Sequence, residues 1–79
     1  MTMKTVKMDL VETGKKIKAQ MTIQGIGTDT VTAVLGYSDR STVYRWLRGE
    51  AAPSYENLVN LSILFGCRIK DLTAFKESE

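Results

Sequence analysis

A chain of 79 residues, 43% apolar and 25% charged, has room for one small soluble domain. Such a domain buries only about 60% of the surface its unfolded chain exposes, so it needs an efficient core or a partner. Its formal charge of +2 neither requires nor excludes a polyanion, because local distribution outweighs the sum. The absence of histidine removes the commonest metal ligand and the neutral-pH proton shuttle. No phosphate loop and no nucleophile–base pair is visible, so no enzyme, metal site or cofactor is expected. The single Cys67 cannot form an internal disulfide and fits a reducing, cytoplasmic setting. There is no long apolar run and no signal-peptide pattern, so no membrane association is expected.

Residues 1–8 are polar and carry Lys4 and Lys7; they read as a flexible arm, with the alternation of Met3, Val6 and Met8 leaving a short extended segment open. A first helix is expected from Asp9 to Met21. Asp9 and Glu12 form a capping box, and Leu10, Gly14, Ile17 and Met21 make one stripe at helical spacing. Gly14 lowers propensity, so its use is a close helix crossing. Residues 22–27 read as a loop, with Ile26 between two glycines as a plug into the core.

A second helix is expected over Thr28–Leu35, although its threonines and valines are also strand-like in composition. Gly27 and Thr28 compete as its cap, and the Thr32 hydroxyl can bond back to the Thr28 carbonyl. Gly36 is placed to end it in left-handed space. Asp39, or alternatively Ser38, caps a third helix running from Arg40 to Arg48, with Val43, Trp46 and Leu47 facing inward. Gly49 stops that helix, Pro53 and Ser54 open a fourth, and Gly66 ends it. A fifth helix is expected over Arg68–Phe75, with Ile69, Leu72 and Phe75 on one side; residues 76–79 should fray. The reading is one all-α domain over residues 9–75.

The stretch Thr28–Gly49 resembles the helix-turn-helix of the phage Cro and repressor-like DNA-binding domains. The resemblance rests on Gly36 in the turn, on Val43 and Trp46 pinning the second helix of the pair, and on Arg48-Gly49-Glu50. It continues through Pro53-Ser54, the run Leu58, Leu61, Ser62, Leu64, Phe65, Gly66, and Ile69-Lys70-Asp71-Leu72, covering roughly residues 10–72. It implies a compact five-helix, lambda-repressor-like fold with helices 2 and 3 as the motif. Two departures stand out. Thr32 replaces the alanine usual at the close packing of the two helices, and the turn before Arg40 is one residue longer than the commonest spacing. Tyr37 fills the apolar position of that turn.

A helix in the major groove presents its first turns to base edges. Arg40, Ser41, Thr42 and Arg45 are the candidates for base contacts, the arginines as planar forks for guanine or phosphate. Tyr44, Arg48, Ser54, Tyr55, Asn57, Lys15 and Lys16 are the candidates for the DNA backbone. Several have structural alternatives: burial of Tyr44 beside Trp46, capping or a salt bridge for Arg48, and plain solubility for Lys15, Lys16 and Lys18. Trp46 reads as core and Cys67 as a small buried filler. The expected function is sequence-specific binding of double-stranded DNA by a small transcriptional regulator, acting as a repressor. Relatives of this kind bind as two-fold dimers, so a homodimer is expected, with Ile69, Leu72 and Phe75 divided between core and interface. The competing reading is a protein-interaction or antitoxin-like module on the same fold, with a protein partner in place of specific DNA.

Overall fold

The computed structural model describes residues 4–78; the remainder of the expected arm, residues 1–3, and Glu79 lie outside the described residues. The element order is β1 (Thr5–Met8), α1 (Leu10–Gln24), α2 (Thr28–Val34), α3 (Ser41–Leu47), α4 (Tyr55–Phe65), a 3-10 turn (Ile69–Asp71) and β2 (Phe75–Ser78). Ile17, Met21, Val31, Val43, Trp46, Leu58, Leu61, Phe65 and Leu72 form the core, so every helix contributes to it.

α1 starts on Asp9, whose carboxylate accepts from the Glu12 amide at 3.1 Å. Only this half of the expected capping box forms. The Asp9 amide already donates to the Ala74 carbonyl at 2.8 Å, and the Glu12 carboxylate pairs with Lys15. The helix also runs a turn beyond Met21, through residues expected as loop. Nothing breaks it before Gly25, and Thr22 satisfies its hydroxyl on the Lys18 carbonyl. Ile26 then packs half-buried against the core as expected.

α1 crosses α3 at Gly14. A methyl group built there would lie 2.3 Å from the Trp46 carbonyl oxygen, so only hydrogen fits. One turn earlier, Val11 touches Gly49, whose φ of 77° and lack of a side chain are both required. All the helices end alike, with a glycine at the C′ position and paired backbone bonds back to the last turn. After α2, for example, Gly36 donates to Ala33 and Tyr37 to Thr32. The Thr32 hydroxyl donates to the Thr28 carbonyl at 2.8 Å, as read from the sequence.

The expected fifth helix is not formed; the described residues hold four α-helices. Helical bonding stops after one 3-10 turn because α1 takes over the backbone that would continue it. The buried Thr13 hydroxyl donates to the Ala74 carbonyl and accepts from the Ala74 amide. The Lys16 ammonium reaches the carbonyls of Lys70 and Thr73. Leu72 still enters the core, as its spacing suggests, and so is not available to an interface. The chain beyond Ala74 is then extended and pairs with β1.

β1 and β2 form an antiparallel two-stranded sheet, with Thr5 opposite Ser78, Val6 opposite Glu77, Lys7 opposite Lys76 and Met8 opposite Phe75. The residues expected as a flexible arm and a frayed end are therefore strands over their described parts. The alternation Val6/Met8 was the only sequence signal for this, and it needed a partner far along the chain to matter.

Two substitutions test this packing. Gly14→Ala gains about 1 kcal/mol of helix propensity but overpacks the crossing, at a cost of roughly 1–3 kcal/mol or more. Chemical denaturation is expected to show net destabilisation. Thr13→Val keeps the shape but strands the Ala74 amide, whose carbonyl keeps the Asp9 amide, and should lose about 1–3 kcal/mol.

Candidate nucleic-acid interface

α3 is short, and its orientation is set from behind. Val43 and Trp46 are buried, Leu47 and Thr42 are half-buried, and the Tyr37 ring meets Trp46 edge-on at 6.1 Å. What remains outside is a stripe of Ser41, Tyr44, Arg45 and Arg48, spaced three and four residues apart. The helix begins one residue later than the sequence suggests, at Ser41, with Arg40 in the flanking position. Asp39, expected as the cap, lies one residue ahead of it, and its carboxylate accepts from both the amide (2.8 Å) and the hydroxyl of Ser41. These bonds hold the Asp39 carboxyl below its ordinary range.

The structure divides the candidate residues sharply. Arg40 pairs with Asp29 at the start of α2, at 3.0 Å. Arg48 pairs with Glu50 through Nε, so the salt-bridge alternative is realised. That hydrogen bond raises the Arg48 pKa and lowers the Glu50 pKa. Arg45, exposed on the same stripe, has no salt bridge among the described residues. Ser41 spends its hydroxyl proton on Asp39.

Tyr44 is 40% exposed; it lies beside Lys18, Met21, Ile26 and Leu47 rather than against Trp46, which Tyr37 covers instead. Ser54 caps α4 by accepting from the Asn57 amide. Tyr55 is exposed at the first position of that helix. Asn57 gives its side-chain amide to the Tyr37 hydroxyl at 2.6 Å, which ties α4 to the turn between α2 and α3. Lys15 pairs with Glu12, and Lys16 is engaged with the 3-10 turn and its exit. The sequence reading missed Asp29 as the partner of Arg40 and Tyr37 as the partner of Asn57. The first had a signal, an acid in the opening turn of α2; the second had none.

Among the described residues no group of three or more histidines, cysteines, aspartates or glutamates could hold a metal ion. No helix among the described residues is long and apolar enough to cross a membrane. Cys67 is half-buried against the core, and burial, then the nearby Asp71 charge, raises its thiol pKa.

The arrangement is that of a helix pair whose second member is locked by its inner face and presents a polar outer face. The helix-turn-helix family matches residues 32–72, and the chain belongs to that family. Its structure is similar to that of C.AhdI, a restriction-modification controller protein from Aeromonas hydrophila. That similarity has a TM-score of 0.71 and 28% identity, over 81% of this chain and 96% of that one. It also shares the fold of the DNA-binding domain of BldD, with a TM-score of 0.68 and 22% identity over 84% and 94% of the two chains. No curated protein matches the sequence.

The Asp39 carboxylate gives a pH prediction. Because its folded pKa is lowered, its contribution is complete above the ordinary aspartate pKa and is lost as pH falls through the lowered folded value. Acid melts of Asp39→Asn should therefore show a shallower fall in stability over that acid range than the parent.

Proposed function

We propose that this protein is a DNA-binding transcriptional regulator that inserts α3 into the major groove of duplex DNA. The observation that carries the reading is the exposed Ser41–Tyr44–Arg45–Arg48 stripe on a helix fixed from behind by Val43 and Trp46. Family membership supports it, as does the likeness to a controller protein of restriction-modification.

In this reading Arg45 is the principal base-contacting side chain, because its guanidinium is exposed and uncommitted. Arg40 approaches a base or phosphate while one edge of its fork stays on Asp29. Ser41 and Thr42 add short-range contacts at the start of α3. Tyr44 and Arg48 meet the backbone along the stripe. The exposed Tyr55 reaches a phosphate near the start of α4, where Ser54 and Asn57 serve mainly to fix that helix. Lys15 contributes long-range attraction, and Lys16 keeps its structural post. The protein acts as a repressor in the cytoplasm, by occupying its site as a homodimer. With Leu72 taken into the core, Phe75 and Ile63, 58% and 73% exposed, are apolar surface left near the end of α4 and beyond it for a second copy.

Selection from a random duplex pool should return one motif with two-fold symmetry. Arg45→Ala should bind that motif with a loss of about 1–3 kcal/mol of discrimination at one base position. Equal weakening on all duplexes would instead assign Arg45 to phosphate. Trp46→Ala removes a side chain that is only 2% exposed. It should cost roughly 3–5 kcal/mol of fold stability, read in thermal melts rather than in binding.

A further inference from the structure

The β1–β2 sheet has two unlike faces. Directly opposed residues of an antiparallel pair share a face. One side therefore carries Val6, Met8, Phe75 and Glu77, with Lys4 joined to Glu77 at 3.7 Å. The other side carries Lys7 directly opposite Lys76, flanked by Thr5 and Ser78. Both lysines are exposed, and neither has a salt bridge among the described residues. Like charges directly opposed destabilise a strand pair, and in a sheet this small no other ladder dilutes the cost. A solvated surface could have placed any neutral polar residue at either position.

The position of the pair is also specific. Lys7 and Lys76 line an open depression with Leu10, Val11 and Gly49, the residue at which α3 stops. The one acid on that depression, Asp9, has its carboxylate engaged at the first turn of α1. Gly49 puts the pair at the C-terminal end of α3, where Arg45 is exposed and Arg48 is paired with Glu50. The lysine face thus adds two further cations at that end of the helix.

We propose that the Lys7–Lys76 face of the sheet is a DNA-backbone contact, extending the binding surface past the C-terminal end of α3 onto a strand pair. The chemistry it recognises is a run of phosphates, bound as point charges and without sequence preference. The repulsion between the lysines in the unbound protein is relieved when phosphates sit between them. This proposal rests on the DNA-binding reading above.

The test uses the full chain with a fluorescent duplex of mixed sequence, titrated at several salt concentrations, alongside thermal melts. For Lys7→Gln/Lys76→Gln the salt slope should shrink by about 0.9 per lysine, and affinity in about 0.1 M salt should fall on the order of tenfold per lysine. Tm should hold or rise, because the like-charge pair is gone. Lys76→Glu should separate the two effects further, with a higher Tm from the new opposite-charge pair and weaker binding than Lys76→Gln. An unchanged salt slope in the double variant would overturn the proposal, whether the lysines face only solvent or serve an acidic protein. A fall in Tm matching the loss of binding would overturn it as well. If these variants bind like the parent while Arg45→Ala loses discrimination, the backbone contact fails and the regulator reading stands. If the parent chain shows no salt-dependent affinity for any duplex, the regulator reading itself fails.

Discussion

The backbone-to-backbone contact between α1 and α3 governs the rest of this molecule. Gly14 lets the α1 axis come close enough to touch the Trp46 carbonyl, and Gly49 lets Val11 do the same one turn away. Two close approaches fix both the distance and the direction of α3. A helix of seven residues is too short to be stable alone. Its geometry is borrowed from α1 and from the side chains beneath it. The outer face of α3 is therefore held in place only while that crossing is intact, and Trp46 serves the crossing twice, through its buried ring and through its carbonyl.

Charge is arranged in the same economical way. The N-terminal and C-terminal arginines of α3 are each ion-paired, with Asp29 and Glu50, while Arg45 between them forms no salt bridge among the described residues. Exposed pairs of this kind contribute little to stability. They hold the two long side chains in fewer rotamers, which in the proposed complex leaves less entropy to lose on binding.

Much of the helical part was legible because it follows from local rules. Apolar spacing gave the inward faces of α1 and α3 and most of α4, where Ile63, read as buried with Leu58, Leu61, Leu64 and Phe65, is instead exposed, and glycines marked their ends. Asp9, Asp39 and Ser54 were each identified as caps and do bond the amides that open their helices. The C-terminal segment was not legible for an equally physical reason. Ile69, Leu72 and Phe75 have helical spacing, and two of them pack as that spacing implies. What prevents a helix is a threonine and a lysine on α1, more than fifty residues away, which bind the backbone of Lys70, Thr73 and Ala74. Lys16 looked like a surface cation for the same reason: its acceptors are carbonyls, which leave no mark on side-chain identity. On the outer face of α3 the candidate residue types were legible, but which arginine forms an ion pair depended on carboxylates in neighbouring turns.

The strand pair has a mechanical corollary. Thr5 and Ser78 face each other at its outer tip, while Met8 and Phe75 form the rung where the strands join the rest of the domain. Tension applied through the two ends would load the ladder one rung at a time rather than all rungs together, so it peels open under weak force. Once it has peeled, the load passes to the Thr13–Ala74 clasp, and the helices below keep their shape until that clasp yields.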